Sequence, residues 1–194
     1  MVWLRLLRYG VLALAAGLVH AEPVVYAIDP ARTVTQYELG SLQSGRFEQH
    51  SGSIQLDLQA KTGWANVNIA AASVRSGVAF IDSILQSAEL FNASQYPTIR
   101  FVGDQFLFNG DTLTEVGGSL TLLGKTLPVV LHVTHFFCTV PPAPEACSGR
   151  FETTIDRTDY GMDMGVSWGL PKAVHLLVQM EAVRPPVADA LLIQ

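Results

Sequence analysis

The sequence has few features that would support nucleic-acid binding or catalysis, and after residue 21 it has few that would support a membrane span. It carries 12 Lys and Arg against 17 Asp and Glu, with no basic cluster, so charge-driven binding to nucleic acid or to anionic lipid is disfavoured. After residue 21, no apolar run approaches the length of a membrane span. The sequence also lacks a G-x-S-x-G elbow, an H-E-x-x-H motif and a phosphate-binding Gly-rich loop.

The first 21 residues have the pattern of a cleavable secretory signal peptide. Arg5 and Arg8 precede the apolar run VLALAAGLV, and Val19-His20-Ala21 fits a small-residue cleavage site. An uncleaved N-terminal anchor is the less favoured alternative. Cleavage would remove two arginines and no acidic residue, which leaves ten Lys and Arg against 17 Asp and Glu, a balance of −7. We therefore predict a periplasmic protein with a signal peptide at 1–21, a domain at 22–184 and an irregular tail at 185–194.

Cysteine is scarce, and its placement is informative. Cys138 and Cys147 bracket the Pro-rich stretch TVPPAPEA, and an even count in an exported chain favours a disulfide. A redox centre or a pair of metal ligands is the alternative, but the spacing fits no C-x-x-C motif. In the chain-entropy treatment, closing so short a loop stabilises the fold by about 2–3 kcal/mol.

Alternation of apolar and polar residues dominates the rest of the chain. About eight segments show this period of two, separated by Gly, Asn-Gly or Pro, which predicts an antiparallel sheet. Alternation alone does not distinguish a barrel from a sandwich. One segment, DSILQSAELFN, has helical spacing instead, and Ser83 with Gln86 has the spacing of a capping box at its start.

The histidines give no clear metal site. His132 and His135 lie three residues apart in a predicted strand, so we expect them on opposite faces, unable to share an ion. His175 alternates with apolar neighbours and is expected on the outer face, while His50 is expected to be solvated in a loop. We therefore predict no metal. Turn or capping roles are expected for three acidic residues, Asp156, Asp159 and Asp163.

Arg157 shares a face with Phe151 and Ile155, so we expect it to lean inward near a strand end. A buried arginine must be paired. One interpretation is a structural ion pair with Asp82, Asp159 or Asp163. The other is a cation at a tunnel mouth that meets a phosphate or another polar head group. Catalysis on a lipid would require Asp82, Arg157 and Asp159 to converge at that mouth, and we predict no enzymatic activity.

Several motifs in order resemble the YceI-like family of exported, lipocalin-like proteins. They are YAIDPARTVTQYEL, GRFEQHSGSIQLD, ASVRSG, LQSAELFNASQYPTIRF, GSLTLLGKTLPVVL and TTIDRTDYGM. The resemblance runs from about Tyr26 to Val183. It implies an all-β fold, namely an extended eight-stranded antiparallel lipocalin-like barrel with one short helix.

The resemblance also implies a function. Proteins of this family are expected to carry or sequester an amphiphile in an apolar tunnel, often as homodimers, with no cofactor beyond a non-covalently held lipid. Prenyl phosphates, quinone-like tails and fatty-acyl chains are the implied ligands. The alternative is a filled barrel that acts as an interaction module docking a membrane respiratory partner.

Alternation assigns the interior face of such a tunnel. Arg157 and Asp82 are the candidates for its mouth. The predicted lining residues are Tyr37, Leu39, Ile54, Leu56, Val67, Ile69, Phe91, Ile99, Phe101, Leu120, Leu122, Leu131, Val133, Phe151, Ile155 and Leu176.

Overall fold

The computed structural model describes residues 23–139, 142–143 and 145–186. The predicted signal peptide and most of the predicted tail lie outside these residues. The strands are β1 Val24–Ile28, β2 Val34–Leu39, β3 Gln43–Phe47, β4 His50–Asp57, β5 Thr62–Ala70, β6 Val74–Arg75, β7 Thr98–Asn109, β8 Thr112–Leu122, β9 Lys125–Thr139, β10 Ala146–Asp156 and β11 Ala173–Val183. Helix α1 is Ala79–Gln86, and 3-10 turns lie at Ala71–Ser73, Arg157–Tyr160 and Val166–Trp168.

The strands form one antiparallel sheet that closes into a barrel. The neighbour order is β1-β4-β5-β7-β8-β9-β10-β11, and β11 pairs back onto β1. This ring has eight strands and no free edge. The predicted eight-stranded antiparallel barrel with one helix is confirmed.

The three remaining strands continue members of the ring. Both β1 and β2 pair with β11, since Ile28 lies opposite Ala182 and Val34 lies opposite Gln179. They are therefore two halves of one long strand, interrupted at residues 29–33. In the same way β3 leads into β4, and β5 leads into β6 through a 3-10 turn.

Two ends of the barrel can be named from its connections. The upper end carries the turn at 40–42, the segment 76–97 with helix α1, the turn at 123–124 and the loop at 157–172. The lower end carries the turns at 58–61 and 110–111 and the connection between β9 and β10. Buried side chains form two clusters, one toward each end, centred on residues such as Tyr37 and Phe47 above and Leu56 and Phe151 below.

Helix α1 differs from its prediction. It begins at Ala79 after Val78, whose side chain forms no cap, so the predicted capping box at Ser83 is wrong. The Ser83 hydroxyl instead donates to the Ala79 carbonyl within the helix, at 3.1 Å. The helix starts earlier because Asp82 accepts hydrogen bonds from the Ser76 backbone N–H and hydroxyl, both at 2.6 Å, which fixes the preceding chain.

A disulfide bond crosslinks two strands at the lower end. Cys138 and Cys147 face each other on β9 and β10 and form a disulfide, with their Cα atoms 4.0 Å apart. The predicted disulfide is confirmed. Beside it, Arg184 Nη1 donates to both carboxylate oxygens of Glu145, at 2.7 and 2.8 Å. Within residues 23–139, 142–143 and 145–186, no helix has the length and hydropathy needed to cross a membrane.

Candidate ligand-binding cavity

Side chains do not fill the interior of the barrel. An upper cavity of about 290 Å³ and a lower cavity of about 100 Å³ lie inside it. Thr35, Ile69, Leu120 and Leu176 line both. These four residues form a middle layer that borders both cavities, so the two cavities lie next to each other inside the barrel.

Fifteen of the sixteen predicted lining residues border one cavity or the other. Val133 is the exception. It packs against the lower cluster without lining a cavity, and it lies beside a bulge, since Phe151 pairs with Val133 but Arg150 pairs with His135. Val133 precedes the inserted residue Thr134 and keeps the inward face that alternation assigns to it; only residues beyond Thr134 change face.

The upper end contributes lining residues that alternation did not identify. They come from helix α1 and from the loops at 87–97 and 157–172, where no period of two exists. Their signal in the sequence is the density of apolar residues in GMDMGVSWGLP. These additional residues are Ile81, Ile84, Leu85, Leu90, Met162, Met164, Trp168 and Leu170.

Arg157 is the one charged side chain among the described residues that line the upper cavity. It is only 4% exposed. Its Nε donates to the Pro171 carbonyl at 2.9 Å, and Nη1 donates to the Met162 carbonyl at 2.8 Å. Nη2 is buried and has no partner among the described residues. The guanidinium therefore keeps donor capacity at the wall of an apolar cavity.

The predicted ion pair of Arg157 is wrong. No carboxylate of Asp82, Asp159 or Asp163 lies within 4.0 Å of it. β10 ends at Asp156, and the chain reverses direction there. Arg157 therefore points inward, where its guanidinium donates to backbone carbonyls of the loop that follows. Asp156 accepts from the Thr158 backbone N–H at 2.8 Å and from its hydroxyl at 2.7 Å, which starts the 3-10 turn. The capping role predicted for Asp156 is confirmed.

Tyr37 adds a second polar group to the upper cavity. Its hydroxyl lies 3.4 Å from Gln43 Nε2, which donates to it, and both residues line the cavity. Burial raises the pKa of Tyr37 to about 12; the nearby Asp82 carboxylate adds to this rise and the Gln43 hydrogen bond opposes it. The phenol is therefore a neutral hydrogen-bond donor at physiological pH.

Asp82 does not border either cavity. The Ser76 hydroxyl and backbone N–H hold the pKa of its carboxyl below the ordinary value. Asp159 is exposed at the upper end, where its carbonyl accepts from Lys125 Nζ at 3.2 Å. Neither carboxylate joins Arg157 at the cavity, so the three groups needed for chemistry on a lipid do not converge.

Comparison with known proteins agrees with this architecture. Residues 26–182 match the YceI-like domain. The chain belongs to the YceI-like family. A UPF0312 protein of Vibrio cholerae serotype O1 is 30% identical over 135 residues, which cover 68% of this chain and 71% of that protein. A UPF0312 protein of Azotobacter vinelandii is 27% identical over 190 residues, which cover 93% and 97%.

Solved structures share the YceI-like fold. BcnA of Burkholderia cenocepacia superimposes with a TM-score of 0.63 at 20% identity, over 80% of this chain and 99% of BcnA. A domain from Saccharophagus degradans, described as polyisoprenoid binding and implicated in plant cell wall breakdown, gives a TM-score of 0.61 at 16% identity. That match covers 84% of this chain and 99% of the domain.

This YceI-like barrel also contains a buried histidine. His50 is 5% exposed and lines the lower cavity, so the prediction of a solvated loop residue is wrong. Its Nε2 lies 3.0 Å from Thr35 Oγ1, while Nδ1 has no partner among the described residues. Burial lowers the pKa of His50. His50 lies an even number of residues before the inward-facing Ile54 and Leu56 on the same strand. Alternation therefore could have predicted its inward orientation.

The other histidines of the YceI-like domain lie on its outer surface. His132 and His135 are both exposed, so their predicted placement on opposite faces is wrong; the bulge between them adds one residue and returns the second ring to the outside. His175 lies outward, 3.6 Å from Glu38 and 3.8 Å from Glu152, as predicted. Within the described part of the chain, no three His, Cys, Asp or Glu residues are arranged to hold a metal ion.

Proposed function

We propose that this protein is an exported periplasmic carrier that holds one isoprenoid-type lipid non-covalently in its barrel tunnel. The observation that carries the proposal is the upper cavity: about 290 Å³ of apolar space with a single, buried, incompletely paired cation at its wall. Ligand pockets are mostly apolar, with few polar groups that fix orientation. The fold shared with the polyisoprenoid-binding domain of Saccharophagus degradans supports the ligand class.

The tunnel suits a flexible hydrocarbon tail. At about 30 Å³ for a water-sized group, the upper cavity of about 290 Å³ accommodates about ten heavy atoms. The lower cavity of about 100 Å³ accommodates about three more. Each buried methylene contributes about 0.8 kcal/mol, so a tail alone supplies substantial affinity, and side-chain movement or protrusion at the upper end would admit a longer one.

The polar groups favour an anionic head group at the upper end. Arg157 offers the free donor capacity of Nη2, and guanidinium groups bind phosphate through charge-assisted hydrogen bonds. The neutral Tyr37 hydroxyl lines the same cavity and can donate to a phosphate or carbonyl oxygen. Among the implied ligands, a prenyl phosphate therefore satisfies the site better than an uncharged quinone-like tail.

The residues that line the cavities are suited to binding a lipid rather than to catalysing a reaction on it. Among the described residues no carboxylate lines either cavity, and the histidine that does, His50, lies in the lower one, toward the end opposite Arg157. The open tunnel also counts against the filled-barrel docking module. Periplasmic export rests on the predicted signal peptide at 1–21, and homodimerisation on the resemblance alone; both are part of the proposal.

Native mass spectrometry of the protein purified from the producing cells tests the proposal. We expect an intact mass that lacks residues 1–21, with an additional non-covalent mass that solvent extraction releases as a prenyl-type lipid. Added farnesyl phosphate should bind to delipidated protein. A protein that purifies empty and takes up no added prenyl phosphate would refute carriage of such a lipid. Retention of residues 1–21 would refute processed export.

A further inference from the structure

The most exposed large apolar side chains are concentrated at one end of the barrel. Among the described residues, four exceed all others of this kind: Trp168 at 82%, Phe80 at 72%, Leu42 at 64% and Val78 at 56%. All four belong to the connections of the upper end. Exposed apolar groups scattered singly need no explanation, but a contiguous group marks an interaction site. We call these four residues the mouth surface.

The mouth surface is continuous with the tunnel. Trp168 lines the upper cavity and is also the most exposed large apolar side chain. Phe80 and Leu42 directly precede the lining residues Ile81 and Gln43 in the chain. The neighbouring loops also meet, since a Cβ at Gly40 would lie 3.5 Å from Pro171 Cγ. A hydrocarbon chain leaving the upper cavity would therefore pass between these side chains.

The exposed charges of the upper end are mainly acidic. Arg46 and Glu48 form an ion pair, with Arg46 Nη2 2.7 Å from Glu48 Oε1. Apart from the buried Arg157, the charged residues within its connections are Lys172 against Asp82, Glu89, Asp159 and Asp163, with Arg75, Lys125 and Asp156 at the adjoining strand ends. An acidic excess disfavours an anionic surface and leaves an uncharged, zwitterionic one as the compatible partner.

We infer that the mouth surface is a membrane-docking site that inserts into the interface of a zwitterionic phospholipid bilayer. The inference rests on the proposed function, because the bilayer is where an isoprenoid ligand would be collected or delivered. Trp and Phe side chains favour the boundary between head groups and acyl chains. Docking by apolar side chains alone would be reversible and independent of charge.

The test compares vesicle binding by the processed protein and two triple variants. The docking variant carries Leu42→Ser, Val78→Ser and Phe80→Ser; these side chains do not line either cavity. The matched control carries Leu58→Ser, Leu107→Ser and Phe137→Ser, three exposed apolar side chains away from the upper end. Co-sedimentation is measured with phosphatidylcholine vesicles, with and without phosphatidylglycerol, at low and high salt.

We expect wild type and control to bind phosphatidylcholine vesicles equally, with no more than about two-fold change on adding salt, and to bind no more tightly when phosphatidylglycerol is present. The docking variant should bind at least about ten-fold more weakly, since each lost apolar group reduces transfer into the interface. In a Trp64→Phe variant of the processed protein, Trp168 is the one remaining tryptophan, and brominated phosphatidylcholine should quench its fluorescence.

Three results would overturn the inference: no binding of wild type to phosphatidylcholine, equal losses in both triple variants, or a wild-type dimer that only the docking variant loses. Native mass spectrometry keeps the two proposals separate. Lipid carried by a protein that ignores vesicles refutes docking alone. A protein that binds vesicles but carries and accepts no prenyl lipid refutes the carrier function.

Discussion

Filling the lower cavity should shorten the tail that the tunnel accepts. Ala65 is buried on β5 and lines the lower cavity, where it pairs with Ile54 and Gly103 on the neighbouring strands. Ala65→Leu adds three carbon atoms. The lower cavity of about 100 Å³ has space for about three such groups at about 30 Å³ each, so the new side chain would occupy the end of the tunnel.

The magnitudes follow from the volume. A tail that reaches the lower cavity would lose about three buried methylenes at about 0.8 kcal/mol each, or about 2.4 kcal/mol, roughly 60-fold in affinity. Geranyl phosphate, whose tail fits within the upper cavity, should keep its affinity. Filling an apolar void commonly stabilises a fold by about 0.5–2 kcal/mol, so the variant should be more stable than wild type while binding farnesyl phosphate more weakly.

Calorimetric titration of delipidated protein with geranyl and farnesyl phosphate measures the effect, and urea unfolding measures stability. Thr62→Leu, at an exposed position on the same strand, serves as the control and should change neither affinity. Equal weakening of both ligands would mean that the substitution distorts the barrel. Unchanged farnesyl phosphate binding in a stabilised Ala65→Leu protein would refute the placement of the tail in the lower cavity.

Three further predictions concern other features. Replacing Cys138 and Cys147 by Ser, which opens a link across nine residues of sequence separation, should lower the free energy of unfolding in urea by about 2–3 kcal/mol; an unchanged value in oxidising buffer would contradict this. Burial lowers the pKa of His50, so just below about pH 6.5 the unfolded chain binds a proton that the folded chain does not. As the pH is lowered through this range, the free energy of unfolding should decrease by up to about 1.4 kcal/mol per pH unit. His50→Leu should remove this pH dependence of the free energy of unfolding between about pH 6.5 and the lowered folded pKa. An unchanged pH dependence in the variant would mean that other groups cause it. Arg157→Met should weaken farnesyl phosphate at least about ten-fold but farnesol little, and equal weakening of both would show a purely structural role.

The antiparallel strands were accessible from the sequence because alternation is a local signal, whereas the closed barrel was implied by the family resemblance. Along TVTQYEL, Thr33, Thr35, Tyr37 and Leu39 are all buried, as the period of two requires. Bulges limit this reasoning, since a single extra residue at Thr134 reversed the face assigned to His135. No local sequence pattern predicts the extra residue, because the position of a bulge depends on how the strands pair when the barrel closes.

The upper end was not accessible in the same way. Its loops have no periodicity, and their side chains become cavity walls only through contacts between distant parts of the chain, as when the Phe47 and Phe91 rings pack with centroids 5.2 Å apart. The ion pair expected for Arg157 failed for a related reason. Sequence proximity suggested carboxylates as partners, whereas the reversal of the chain after β10 brought two backbone carbonyls closer.

An eight-stranded barrel has a lumen that large side chains can close, so the placement of its aromatic rings decides whether a tunnel exists. Gly45 lies opposite Tyr37 on the neighbouring strand, and a Cβ there would lie 2.7 Å from Tyr37 Cε1. In the lower half, a Cβ at Gly149 would lie 2.6 Å from Phe151 Cζ. Each ring therefore occupies the space that a side chain at the glycine would need. The middle layer, by contrast, consists of the smaller side chains Thr35, Ile69, Leu120 and Leu176. The two cavities therefore depend on glycine at these wall positions as well as on the apolar residues that line them.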